Sequence, residues 1–365
     1  MKKQYYPILR IQRGECDALS KLEPKVLNGI TPIWELPPIP QKPRKMGGGD
    51  KYSLDEHIRN CIEKLIPTLD ESRILLIDSF LFDTFIESTD ASMKHTIEQI
   101  EEIALEHGIY FVPVISSEAS QDAIDAANSI ASEALCFRVN AHQATPDTVA
   151  EMCEQLYQAF DTNYEKIHLI FDLKEVSQTN IIELQRKVPL ILLQLDNLQS
   201  WKSISIASSS YPSSMAGFEK HKTVTKPMLE VDLWKKVLSH KGLQRMPSYG
   251  DYALAPAKID YGTPVEFMNP SATIRYSSHE YWVFVKGNQV KGKGGKKGPG
   301  WGQTKELCQI LIDNPIYKQY GPTFSEGDKY ISARTTGDVS SGAGYTWRDV
   351  GTNHHVTMIS KYLSS

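Results

Sequence analysis

The chain has 365 residues, more than one minimal barrel needs and enough for a barrel plus an appended module. Hydrophobic residues make up 41% of it, which supports a substantial core and excludes a disordered chain. The formal net charge of −4 excludes a global nucleic-acid-binding charge, so any anion binding has to come from a local patch.

From residue 5 to about 254, short apolar runs alternate with helical patterns, and several runs end on a charged or hydroxyl residue. The runs cover residues 5–11, 31–36, 73–78, 109–115, 134–139, 167–172 and 203–207. Strand alternating with helix predicts a parallel sheet. Seven such units and an eighth at SYGDYALAP predict an α/β fold, a (β/α)8 TIM-like barrel over residues 1–255. After the second run, QKPRKMGGGDKYS reads either as a mobile flap on the functional face or as a tolerated surface insertion. LDEHIRNCIEKLIPTL, a stretch from Thr96 to Glu106, and SQDAIDAANSIASE read as helices. Thr145 and Pro146 open another helix, as N-cap and first-turn proline. NIIELQRKVPLILLQLDNL reads as helix despite Pro189, because SISIASSSYP then supplies the seventh strand.

Beyond residue 213 the rhythm weakens, and residues 256–365 are assigned to a C-terminal α+β module packed on the barrel. SATIRYSSHEYWVFVKG has the β-branched and aromatic texture of an antiparallel strand pair. GQTKELCQILIDNPIYKQYG reads as one helical stretch. The adjacent His354 and His355 are read as lying on a strand, facing opposite sides.

The five cysteines (Cys16, Cys61, Cys136, Cys153 and Cys308) are scattered, odd in number and form no C-x-x-C pair. That pattern fits free thiols in a reducing cytoplasm better than disulfides or a zinc cage. The opening MKKQYYPILRIQRGE is too polar for a signal peptide, and no apolar stretch reaches membrane-spanning length. The expected location is therefore cytoplasmic, with no membrane partner.

Barrel sites form at the C-terminal ends of the strands. There, Glu35, Asp78 and Asp172 are candidates for acid–base catalysis or for holding a divalent cation. Arg10 and Arg138 are candidates for gripping a phosphate or carboxylate through their forked donors. The competing reading makes these residues buried ion pairs across the barrel mouth. Ser208 and Ser210 follow the seventh strand, where barrels often bind phosphate, although a serine run is also an ordinary polar turn. No G-x-S-x-G elbow is present, which argues against a nucleophilic serine. Lys293, Lys296 and Lys297 sit in a cationic glycine-rich segment, KGNQVKGKGGKKGPGWG. It reads as a grip on a phosphate backbone or as a solvated hairpin loop, and it lacks the phosphate-loop signature. Arg348 and His355 belong to a polar tail expected to help shape the mouth, His355 as a catalytic candidate and Arg348 as a ligand-binding one. The histidine pair alone is not a metal motif.

YPILRIQRGECDAL, TPIWELPP, LLIDS, FVPVIS, FRVN, LIFDL and YTWRDVGTNHHVTMI together resemble the phage-type beta protein family, over nearly the whole chain. The resemblance implies a barrel-like fold and a role in phage–host conflict, as an antiviral defence component. It supplies no catalytic residue. Two functions follow as expectations. In one, the barrel mouth binds a phosphorylated small molecule or nucleic acid, with or without metal-assisted hydrolysis. In the other, a catalytically silent barrel acts as sensor or scaffold, binding a phage protein or a partner from the same defence locus.

Overall fold

The computed structural model describes residues 5–41, 49–85, 94–130, 133–258, 268–292 and 297–365. Its described residues group into two compact units whose boundaries do not follow one cut in the chain. The first comprises Met1–Gln12, Asn28–Ser209 and Leu229–Tyr252. The second comprises Arg13–Leu27, Ser210–Met228 and Ala253–Ser365.

In chain order the chain begins with β1 (Tyr5–Arg10), α1 (Arg13–Leu19), α2 (Pro24–Leu27), β2 (Ile33–Glu35), α3 (Leu54–Leu65) and β3 (Ile74–Asp78). Next come α4 (Phe80–Asp83), α5 (Thr96–Glu106), β4 (Tyr110–Ser116), α6 (Gln121–Ser129), β5 (Leu135–Asn140) and α7 (Pro146–Gln158). Then follow β6 (Ile167–Glu175), α8 (Ile181–Gln194), β7 (Ser203–Ser209), β8 (Thr223–Pro227), α9 (Leu229–Leu238) and β9 (Ser248–Asp251).

Strands β1 to β7 and β9 close into a barrel in sequence order, and every neighbouring pair is parallel. This is the expected (β/α)8 TIM-like fold. Burial on both faces explains why its strands read as continuous apolar runs rather than alternating ones; β1 is buried at every position. Several helices start where the sequence provides a side-chain cap. Ser53 and Glu56 form a reciprocal capping box on α3. The Thr145 hydroxyl accepts the Thr148 N–H at 3.2 Å on α7, with Pro146 in the first turn. Helix α8 keeps Pro189 inside it, and β7 follows, as read from the sequence.

The wall of this unit contains a histidine that resists protonation. His168 on β6 has Nδ1 2.7 Å from the Ser203 hydroxyl, and burial pushes its pKa down to about 4. The unfolded chain binds this proton near pH 6.5. Between about pH 6.5 and 4 the unfolded state therefore holds more protons, and stability falls as the pH falls. The expected loss is at most about 3 kcal/mol. Denaturant titrations at pH 7 and pH 4.5 measure it, and the difference should shrink in His168→Gln.

The second unit adds a three-stranded antiparallel sheet in the order β10 (Ser271–Ser277), β11 (Tyr281–Gln289), β8. The β10–β11 pair was legible as antiparallel, whereas β8, with its TVTKP sequence, was not. Helices α10 (Thr304–Ile312), α11 (Pro315–Tyr320), α12 (Glu326–Thr336) and α13 (Gly344–Ser364) complete this unit with α1 and α2. The stretch read as one helix is two. Asn314 and Pro315 interrupt it, and the Asn314 side chain caps α11 by accepting the Ile316 N–H. Ile274, Val283, Val285, Leu307, Ile331 and Trp347 lie in its core.

His354 and His355 lie on α13, a 21-residue helix, not on a strand. The polar, glycine-containing sequence hid that helix, because it has no apolar stripe. The structure buries it on nearly all sides and gives several of its polar groups buried partners. Asn353 donates to the Ala18 carbonyl at 2.9 Å and accepts the Gly327 N–H at 2.9 Å.

All five cysteines are free and buried. Burial pushes the thiol of Cys61 up to about 11 and those of Cys153 and Cys308 up to about 12, so these groups are poor nucleophiles at neutral pH. Among the described residues no helix is long and apolar enough to cross a membrane.

Candidate functional site

Lateral register places Arg10, Glu35 and Asp78 side by side at the C-terminal ends of β1, β2 and β3. Arg138 comes from β5, on another part of the wall, and its side chain reaches into this row. One guanidinium nitrogen donates to Glu35 Oε1 at 2.9 Å and to Asp78 Oδ2 at 2.7 Å. Its Nε donates to Asp172 Oδ2 at 2.9 Å, and the remaining nitrogen lies 2.8 Å from that same oxygen and 2.8 Å from the Tyr252 hydroxyl. Tyr252 donates to Asp172 at 2.6 Å, while Arg10 lies 3.4 Å from Glu35. The four strand-end groups that the sequence suggested would converge do meet, and Arg10 joins them.

What they form is a closed, balanced network. Glu35, Asp78, Asp172, Arg10 and Arg138 are each at most 7% exposed. Arg10, Arg138 and Lys174 supply three cations against the three carboxylates. Burial alone would raise the Asp172 carboxyl, but Arg138 and Lys174 outweigh it and hold it well below the usual carboxylate range. At Asp78 burial prevails and lifts the carboxyl, with Arg138 pulling the other way. A divalent cation fits this donor set poorly, because the Arg138 guanidinium already stands among the carboxylates it would use. Among the described residues no group of three His, Cys, Asp or Glu side chains is arranged to hold a metal.

Sequence reasoning missed Lys174 and Tyr252. Strand β6 has a register irregularity between Asp172 and Glu175, and Lys174 within it takes φ +54°. The turn brings its ammonium within 2.7 Å of Asp172 Oδ2, while its N–H donates to Oδ1 at 2.9 Å. Alternation along a regular strand does not foretell such a bulge. Tyr252 stands one residue past β9.

The other candidates occupy different settings. Ser208 is buried within β7, opposite Asp251. Ser210 falls in the second unit, where its hydroxyl donates to the Pro227 carbonyl and accepts the Trp282 indole N–H at 3.1 Å. Arg348 lies beside Glu15 at 3.6 Å and donates to the Leu254 carbonyl. His355 is fully buried, stacked on Trp282 with Nδ1 2.9 Å from the Ser277 hydroxyl. His354 bridges Asp328 and the Ser277 carbonyl, each at 2.8 Å. These two histidines are hydrogen-bonded core residues. Lys297 is exposed, whereas Lys293 and Lys296 lie outside the described residues.

A second feature occupies the C-terminal face of the barrel beside the network. A half-open cavity of about 240 Å³ lies against the ends of β3 and β4, lined by Ser79, Phe80, Asp83, Ser116 and Glu118 among others. Asp83 accepts from the Ser79 hydroxyl at 2.8 Å and lies 4.0 Å from His95 Nε2. Burial lifts its carboxyl above the usual range. A signal for this cavity lies in the sequence, since LLIDS and FVPVISSE both end in hydroxyl and acidic residues, but a strand-end charge is the stronger mark in a barrel.

The closed parallel barrel and its strand-end cluster define a (β/α)8 barrel protein. The family model described as Beta protein matches residues 5–361, and the chain belongs to that family. No curated protein matches the chain. Among solved structures it is similar to triosephosphate isomerase from Bartonella henselae, with 9% identity and a TM-score of 0.35, over 70% of this chain and 95% of that one.

Proposed function

We propose that this protein is a catalytically silent component of phage–host conflict, in which the barrel serves as a sensor or scaffold for a phage protein or a partner subunit. The phage setting rests on the family resemblance. The silence of the barrel mouth is supported by one observation above all: Arg138 engages Glu35, Asp78 and Asp172 at once, in a buried cluster. A general acid or base must reach a substrate proton, and these carboxylates are already committed to Arg138. A phosphate site needs surplus positive charge, and here three cations face three carboxylates. The network instead ties β1, β2, β3, β5 and β6 together across the mouth.

The test uses Glu35→Gln in a host challenged with a panel of phages, beside thermal and denaturant unfolding of the purified protein. The variant is expected to lose about 2 kcal/mol of stability and to protect as the wild type does. A variant that folds normally yet fails to protect overturns the silent-mouth reading. Absence of protection by the wild-type protein across the panel overturns the phage setting.

A further inference from the structure

The cavity at the ends of β3 and β4 has a chemistry different from the network beside it. Two carboxylates, Asp83 and Glu118, belong to its lining, and among the described residues no lysine or arginine does. Asp83 faces the hydroxyls of Ser79 and Thr96, the His95 ring, and the Asp78 charge beyond. Its nearest partners are thus neutral hydroxyls or an imidazole, in contrast to Asp172 with its arginine and lysine. Phe80, Val114 and Ile115 supply an apolar wall. Ser116 is only 7% exposed. Its oxygen accepts the Glu118 N–H at 3.1 Å, and among the described residues its own hydroxyl hydrogen has no acceptor. The occupant that satisfies all of these carries positive charge for the carboxylates, a short apolar body for the wall, and a lone pair for Ser116. An aromatic face beside carboxylates adds attraction for an ammonium.

We propose that this cavity is a binding site for a small organic cation, a protonated alkylamine bearing a hydrogen-bond acceptor. Site and scaffold reading are independent: a ligand here requires no chemistry at the Arg138 network.

Titration of the full chain with ethanolammonium and n-butylammonium, followed by ligand-observed NMR, tests it against n-butanol and butyrate. Both amines should saturate one site, and ethanolammonium should be sensitive to Ser116→Ala. n-Butanol should bind about tenfold more weakly than n-butylammonium, and butyrate more weakly still. Glu118→Gln keeps the oxygen that accepts from Asn140 at 3.3 Å and should weaken amine binding severalfold. Ala119→Leu fills the cavity and should abolish binding while the protein melts as the wild type does. Equal binding of n-butanol and n-butylammonium, unchanged binding in folded Ala119→Leu, or no saturable amine binding would overturn the proposal.

Discussion

Replacing Arg138 by methionine is expected to cost about 3–5 kcal/mol of stability, the largest single-residue effect in the barrel. The side chain removed is the cation shared by Glu35, Asp78 and Asp172. Its loss leaves three carboxylates crowded in a buried space, with only Arg10 and Lys174 at the edges. Urea unfolding measures the change directly. The loss should lessen as the pH is lowered toward 4, because protonated carboxyls no longer repel. A variant within 1 kcal/mol of wild type, on the order of an ordinary surface change, would show that the network contributes little.

The second large effect lies in the other unit. Gly327 in α12 passes so close to α13 that an added Cβ would fall 2.1 Å from the Val350 carbonyl oxygen and 3.3 Å from the His354 nitrogen. Both neighbours are backbone, so no side-chain rotation relieves the clash. Gly327→Ala must push the two helices apart, breaking the Gly327–Asn353 and His354–Asp328 hydrogen bonds on the way. The expected cost is about 3 kcal/mol. Calorimetric melting reads it as a lower midpoint, and near-ultraviolet circular dichroism should report disturbed packing around Trp347 and Tyr276. An unchanged melting curve would contradict the close approach.

The barrel was legible because its strands are buried on both faces and separated by helices, which imposes a rhythm that the order of the residues reveals. Strand ends were legible for the same reason, and Arg10, Glu35, Asp78, Arg138 and Asp172 were all found from their place at the end of an apolar run. Their chemical meaning was not legible. Whether facing carboxylates hold a metal, act on a substrate or neutralise an arginine depends on where one long side chain on β5 points across the barrel. Lys174 escaped because it needs a bulge with positive φ. In the second unit the polar density of the tail pointed to a site, yet Asn353, His354 and His355 spend that polarity on buried partners. A helix without an apolar stripe reads as surface or loop, and only the elements packed on several of its sides make it core.

The central claim is that the charged barrel mouth holds the fold together and performs no chemistry. The direct measurement replaces the network as a whole: Arg10→Met, Glu35→Gln, Asp78→Asn, Arg138→Met, Asp172→Asn and Lys174→Met in one chain. A buried ion cluster exchanged entirely for neutral groups is often close to neutral in stability, unlike the removal of one partner. The combined variant should therefore be far more stable than Arg138→Met alone, and in a phage-challenged host it should protect as the wild type does. A combined variant that folds with a native melting transition and has lost protection would contradict the claim and place function at the mouth.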